Sequence, residues 1–284
     1  MPDKNIMENV KKLREMTGVG FKDCKLALEE NKGDIEKSIE YLRKKGIAKA
    51  SKKMTRSASE GLIIASEKKG ELTIIEINSE TDFVAKNKDF INFCKEISEL
   101  NFACKGDLDK LKKSKMQNKS SVDENLINLI SKIGEKISIR RSKYFDNKNG
   151  VNFYYVHSAQ EKDIGKIISV VKLSKEDKQL GQQIAMHIAA SNPLAIKKDE
   201  LKKDLIEKEL EIIKAELANS GKTGELAEKI SKGKISKYIS DNTLLDQVWI
   251  MDPKKKVSDV LKENKTGAEI QILDFIRFKV GEGV

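Results

Sequence analysis

At Glu60 the apolar pattern of the chain changes period, and that change decides the class of fold. Before it, three groups recur at helical spacing: Ile6, Val10 and Leu13, then Cys24, Ala27 and Leu28, then Ile35, Ile39 and Leu42. Thr17-Gly18-Val19-Gly20 interrupts the first helix, Gly33 turns the chain, and Asp34 is placed to cap the third. After it, residues 61–66 and 71–78 read as a hairpin around a Lys-Lys-Gly turn. Thr81-Asp82 then opens a helical stretch containing Phe83, Val84, Phe90, Phe93 and Ile97, and further helices are predicted at 108–115 and 123–136. A similar succession follows: strands at 138–145 and 151–157, a third at 166–173, and a helix at 175–190. Strands followed by an amphipathic helix, twice over, predict an α+β protein whose core is two related subdomains with antiparallel sheets.

Asn192-Pro193 breaks the pattern. Residues 198–218 and 224–239 are Lys/Glu-rich helical stretches joined by Asn219-Ser220-Gly221-Lys222, which predicts an antiparallel helical hairpin. Its apolar stripe, Leu205, Leu210, Ile213 and Leu217, can pair with the returning helix or with a second copy in a homodimer. A short helix at 257–263 precedes a last strand at 269–280, expected to join the second sheet and so make the hairpin an insertion. The expected organisation is a three-helix module over 1–46, a linker over 47–59 and a first core subdomain over 60–137. The second core subdomain takes 138–197 and 241–284, and the insertion takes 198–240. Residues 46–59, small and basic, read as a linker or as a helix end followed by one.

Composition narrows function by exclusion. The chain has 284 residues, 38% hydrophobic and 35% charged, too apolar for a disordered tail and too charged for a membrane protein. It lacks the run of roughly 18 apolar residues that spans a bilayer. Asp3 and Glu8 interrupt the first ten residues, which do not read as a secretory or transit signal, so a cytoplasmic location is expected. The net charge of +10 invites nucleic acid, yet only six of the 55 basic residues are arginines, and the lysines alternate with acids. A solvated lysine surface and a basic RNA-binding scaffold are both open readings of that charge. Three cysteines without C-x-x-C spacing and two histidines 30 residues apart give neither a disulfide framework nor a metal site. Nucleotide-binding and hydrolase motifs do not occur. A protein that works by binding, with no cofactor and no covalent chemistry, is expected.

Several segments carry a resemblance. The stretch Ser79-Glu80-Thr81-Asp82-Phe83-Val84-Ala85-Lys86-Asn87 resembles the signature of the bacterial elongation factor Ts family. The run from Leu13 to Gly20 with Asp23-Cys24-Lys25, the segment Ile133-Gly134-Glu135-Lys136-Ile137 with Arg140-Arg141, Ala185–Ser191 with Pro193, and Ile276-Arg277-Phe278 with Gly281-Glu282-Gly283 are similar to the same family, in order, over nearly the whole chain. The resemblance implies a ubiquitin-associated-like N-terminal module and a coiled-coil hairpin. It implies a guanine nucleotide exchange factor, not an enzyme, that binds elongation factor Tu in its GDP-bound and nucleotide-free forms. It implies GDP release by disturbance of that partner's Mg²⁺ and phosphate site through Thr81, Asp82, Phe83 and Val84. Val19, Gly20, Phe21, His157 and His187 are implied partner contacts, with neither membrane nor direct nucleic acid involved.

Bland readings stand beside these. Thr81 and Asp82 can simply cap a helix, Phe83 and Phe21 can be core, and His187 can be structural. After His157 the chain departs from the family, with Ser158-Ala159-Gln160 where a more glycine-rich turn is usual. Some members continue beyond the Gly-Glu-Gly strand into a helix that touches the GTPase; here the sequence ends at Val284, so that contact is expected to be absent and the N-terminal module to carry more of the grip.

Overall fold

The computed structural model describes residues 3–17, 19–221, 223–263 and 269–284. Gly18 and Lys222, assigned above to turns, lie outside the described residues. Helices α1 (Asp3–Thr17), α2 (Phe21–Glu30) and α3 (Ile35–Lys53) close on a small core of Val10, Leu13, Cys24, Ala27, Leu28 and Leu42. Asp34 caps α3 as expected, its carboxylate accepting from the Lys37 N–H at 3.0 Å. That helix runs seven residues into the expected linker because Ala50 is buried in the main core. The first half of the linker is thus a rigid arm, and Arg43 on the same helix pairs with Glu124.

The α+β class is as expected: β1 (Glu60–Lys68), β2 (Glu71–Ser79), the short α4 (Asp82–Ala85), α5 (Lys88–Ala103), α6 (Leu108–Lys113), α7 (Val122–Ile133) and β3 (Ile137–Phe145) come first. They are followed by β4 (Val151–Glu161), β5 (Ile164–Leu173), α8 (Lys178–Ser191), α9 (Lys203–Asn219), α10 (Gly224–Asn242), α11 (Val257–Lys262) and β6 (Ile272–Lys279). Gly134, at φ 89°, stops α7 earlier than the apolar spacing alone predicts.

All six strands join one antiparallel sheet of order β3-β2-β1-β5-β4, with β6 also paired to β5. β1 and β5 pair only at Ile63↔Gly165 and Ile64↔Ile164, and β6 occupies the rest of that edge of β5. The sheet therefore forks into two three-stranded halves that enclose Ile63, Leu72, Ile74, Phe145, Ile168, Val170 and Phe278. Helices α5 and α7 cover the outer face of the first half, and α8 and α11 that of the second. β2 shows why its sequence is almost continuously apolar: Leu72 and Ile74 face the enclosed core while Ile75 and Ile77 face the helices.

One expected boundary is corrected. β3, grouped by the sequence with the second subdomain, pairs along the length of β2, from Leu72↔Phe145 to Ser79↔Ile137. Cross-strand pairing outweighs proximity along the chain. The closing strand does join the second half, through β5. Its end is tied back to the first half by Glu76, a fully buried carboxylate on β2 that accepts from the Gly281 N–H at 2.8 Å and pairs with Arg140 at 3.1 Å and Arg141 at 2.5 Å. Gly281 is required there: its φ is 72°, and a Cβ would come within 2.0 Å of the Ser59 carbonyl oxygen. In the hairpin, Ile213 and Leu217 are buried on the stripe between α9 and α10, so covering them does not require a second copy.

Candidate functional site

Where β2 ends, the chain makes the four-residue helix α4 and at once begins α5, capped by the Asn87 side chain, which accepts from the N–H groups of Asp89 and Phe90 at 2.9 and 3.3 Å. Four residues cannot stabilise a helix alone. Val84 and Ala85 anchor it by entering the core beneath α5. Phe83 is turned the other way and is 78% exposed, the most exposed of the large hydrophobic side chains described. The core reading of Phe83 is thereby excluded, and Val84 is an anchor and not a contact surface.

Thr81 holds the N-cap position with extended backbone (φ −123°, ψ 159°) but caps nothing with its side chain. Its hydroxyl donates to Glu135 Oε1 at 2.8 Å and its N–H to Glu135 Oε2 at 3.0 Å. The neighbouring pair is reciprocal: Glu80 accepts from the Lys136 N–H at 2.6 Å. Asp82 does not cap either; its carboxylate pairs with Lys86, one turn on, at 2.8 Å. The Lys86 hydrogen bond holds the Asp82 carboxyl below its ordinary value of 3.8, with Lys166 adding to the effect. The same bond raises Lys86 above 10.5. Lys166 also bonds Glu60 at 2.8 Å, so the charges next to Asp82 are paired.

At the other end of α4, Gln160 donates from Nε2 to the Ala85 carbonyl oxygen at 3.0 Å. Ala159 opposes Gly165 and Glu161 opposes Ile164, so Gln160 is the extra residue of a bulge at the end of β4. His157 lies on the same strand, exposed, with Nδ1 3.4 Å from the Tyr155 hydroxyl. Glu135 and Gln160 were not singled out as site residues by sequence reasoning. Glu135 stood inside a segment similar to the family, and Gln160 inside the departure from it, but neither contact has a local signature.

The remaining expected residues are dispersed. Val19, Gly20 and Phe21 lie at the start of α2, in the N-terminal cluster and not beside α4. Phe21 is 41% exposed and stands outside that small core. His187 is fully buried, stacked on Trp249 with ring centroids 5.1 Å apart, its Nε2 2.9 Å from Gln247 Oε1. The Gln247 amide nitrogen already donates to the Ser191 and Asp241 carbonyls, so His187 is the donor to its oxygen. A partner contact through the His187 imidazole finds no accessible atom to carry it. Among the described residues, no three His, Cys, Asp or Glu side chains gather as a metal site, and no helix is long and apolar enough to cross a membrane.

Fold and site together define an α+β protein that presents one exposed phenylalanine on a braced platform. The sequence model of the family described as Elongation factor TS matches residues 80–282. Elongation factor Ts of Parvibaculum lavamentivorans is 42% identical over 285 residues, covering 97% of this chain and 92% of its own length. The proteins of the same name in Zymomonas mobilis and Rickettsia felis are 40% and 41% identical, covering 97% of this chain and 92% and 91% of theirs. The chain belongs to the elongation factor Ts family and is a translation elongation factor.

Proposed function

We propose that this factor binds elongation factor Tu, GDP-bound or nucleotide-free, and promotes release of GDP so that GTP can load. It does so by binding in the cytoplasm, with no bond made or broken by its own residues. The observation that carries the reading is Phe83, left in water beside the buried Val84 and Ala85 on a helix that is held at both ends. A ring left in water keeps its burial energy for a partner, and full burial of such a ring contributes about 2–3 kcal/mol.

The proposed mechanism follows from how nucleotide sites hold Mg²⁺ and phosphate. Mg²⁺ demands near-octahedral geometry at about 2.1 Å, and a cradle of backbone N–H groups is equally sensitive to position. A ring pressed among the supporting elements displaces them, and Asp82, once freed from Lys86, competes for their polar groups. Val19, Gly20 and Phe21 supply an outer grip and His157 a second contact. By linkage, GDP and the factor weaken each other's binding equally, and a thousandfold effect requires about 4 kcal/mol of coupling.

The test is stopped-flow release of a fluorescent GDP from elongation factor Tu. Saturating wild-type factor should accelerate release, and Phe83→Ala should remain folded while slowing stimulated release by about 10- to 50-fold. A folded Phe83→Ala protein with wild-type release kinetics would remove Phe83 from the mechanism. No acceleration by saturating wild-type factor would overturn the function itself.

A further inference from the structure

Helix α4 has too little hydrogen bonding of its own to set the direction of Phe83. Its last turn is closed by Lys86 N–H to the Phe83 carbonyl at 3.2 Å and Asn87 N–H to that of Val84 at 2.9 Å. Val84 and Ala85 seat the helix on the core, and two further anchors come from far along the chain. Glu135, 54 residues on, takes both the N–H and the hydroxyl of Thr81 at the start of α4. Gln160, 75 residues from its partner, takes the carbonyl of Ala85 at the end. The Glu80 bond to the Lys136 N–H locks the first of these anchors from the opposite direction. The second anchor belongs to the other half of the sheet, because β4 pairs only through β5. It therefore ties the phenyl platform to the strand that carries His157.

We propose that Glu135 and Gln160 are positioning residues for Phe83. They hold α4 in one orientation before a partner arrives, so that docking energy is used to displace the partner's elements and not to order the helix. The inference rests on the exchange reading above. It predicts that loss of either anchor lowers the maximal rate of GDP release while leaving the factor concentration for half-maximal effect nearly unchanged. A residue that merely stabilised the fold would alter thermal stability instead, without that split.

The test uses the full chain with elongation factor Tu loaded with fluorescent GDP, titrated so that maximal release rate and half-saturating concentration are separated. Gln160→Ala removes one neutral hydrogen bond from an exposed side chain and should lower the maximal rate about fivefold. Glu135→Ala removes two bonds to a carboxylate and should lower it about tenfold or more. Glu135→Gln should recover most of the rate, because its oxygen accepts from the Thr81 N–H and its amide donates to the Thr81 hydroxyl. In a Phe83→Ala background neither alanine change should lower the rate further. If Glu135→Ala fails to fold, Gln160→Ala alone decides the matter.

Folded anchor variants that keep the wild-type maximal rate, in a factor where Phe83→Ala is defective, would overturn the positioning role and leave the exchange reading intact. Losses that persist undiminished without Phe83 would also overturn it. Wild-type release by Phe83→Ala itself would overturn both.

Discussion

Within α8 the His187 imidazole is enclosed by Trp249 and Gln247, and burial lowers its pKa below the ordinary 6.5, with the Gln247 hydrogen bond acting the other way. In the unfolded chain the same group takes up a proton near 6.5. Below that pH the unfolded state binds more protons than the native one, so stability falls as pH falls until the lowered folded value is reached. Urea unfolding between pH 7.5 and 5.5 should show this slope, and His187→Gln should flatten it. An unchanged slope in the variant would assign the dependence to other groups. At this scale the sequence was only partly legible. The T-D-F-V residues were identifiable from their resemblance, but residue type alone did not decide whether Phe83 was core or contact. Its neighbours decided that, since Val84 and Ala85 filled the space beneath α5 and left the ring outside.

The hairpins and amphipathic helices were legible as elements because their periods are local. Their partners were not. Nothing in the spacing of Ile137, Ile139 and Phe145 distinguishes a strand that pairs with β2 from one that pairs with β4, and the structure chose β2. The buried Glu76 is the clearest case of an element-level bond with no sequence signature. Burial alone would raise its pKa, but the Gly281 N–H, the Asn78 amide and Arg141 outweigh that and hold it below 4.5. Its contribution is therefore present at neutral pH and lost as pH falls through the lowered value. Glu76→Ala should destabilise the protein by about 2 kcal/mol, less than a fully buried pair because both arginines still reach water. The check is the urea midpoint at constant m-value, and an unshifted midpoint would show that the C-terminal strand does not depend on this clasp.

Over the whole molecule, stability should be uneven. The central strands β1, β2 and β5 are buried on both faces along most of their length, whereas α10 has no buried residue along its length and meets the body through few contacts. Amide hydrogen exchange in 224–242 should be at least about a hundredfold less protected than in β2, and equal protection in the two would refute the picture of a hairpin standing off the core. The sequence by itself determined the kinds of element, their order, and the family to which the chain belongs. Hydrophobic periodicity, caps and a contiguous motif are all readable from neighbours within a turn or two. Only the tertiary structure decided that six strands make one forked sheet, that His187 is interior, and that Glu135 and Gln160 grip α4 from opposite ends. Those are contacts between residues 54 to 75 positions apart, or between strands whose partners are chosen by burial, and such choices leave no local pattern to read.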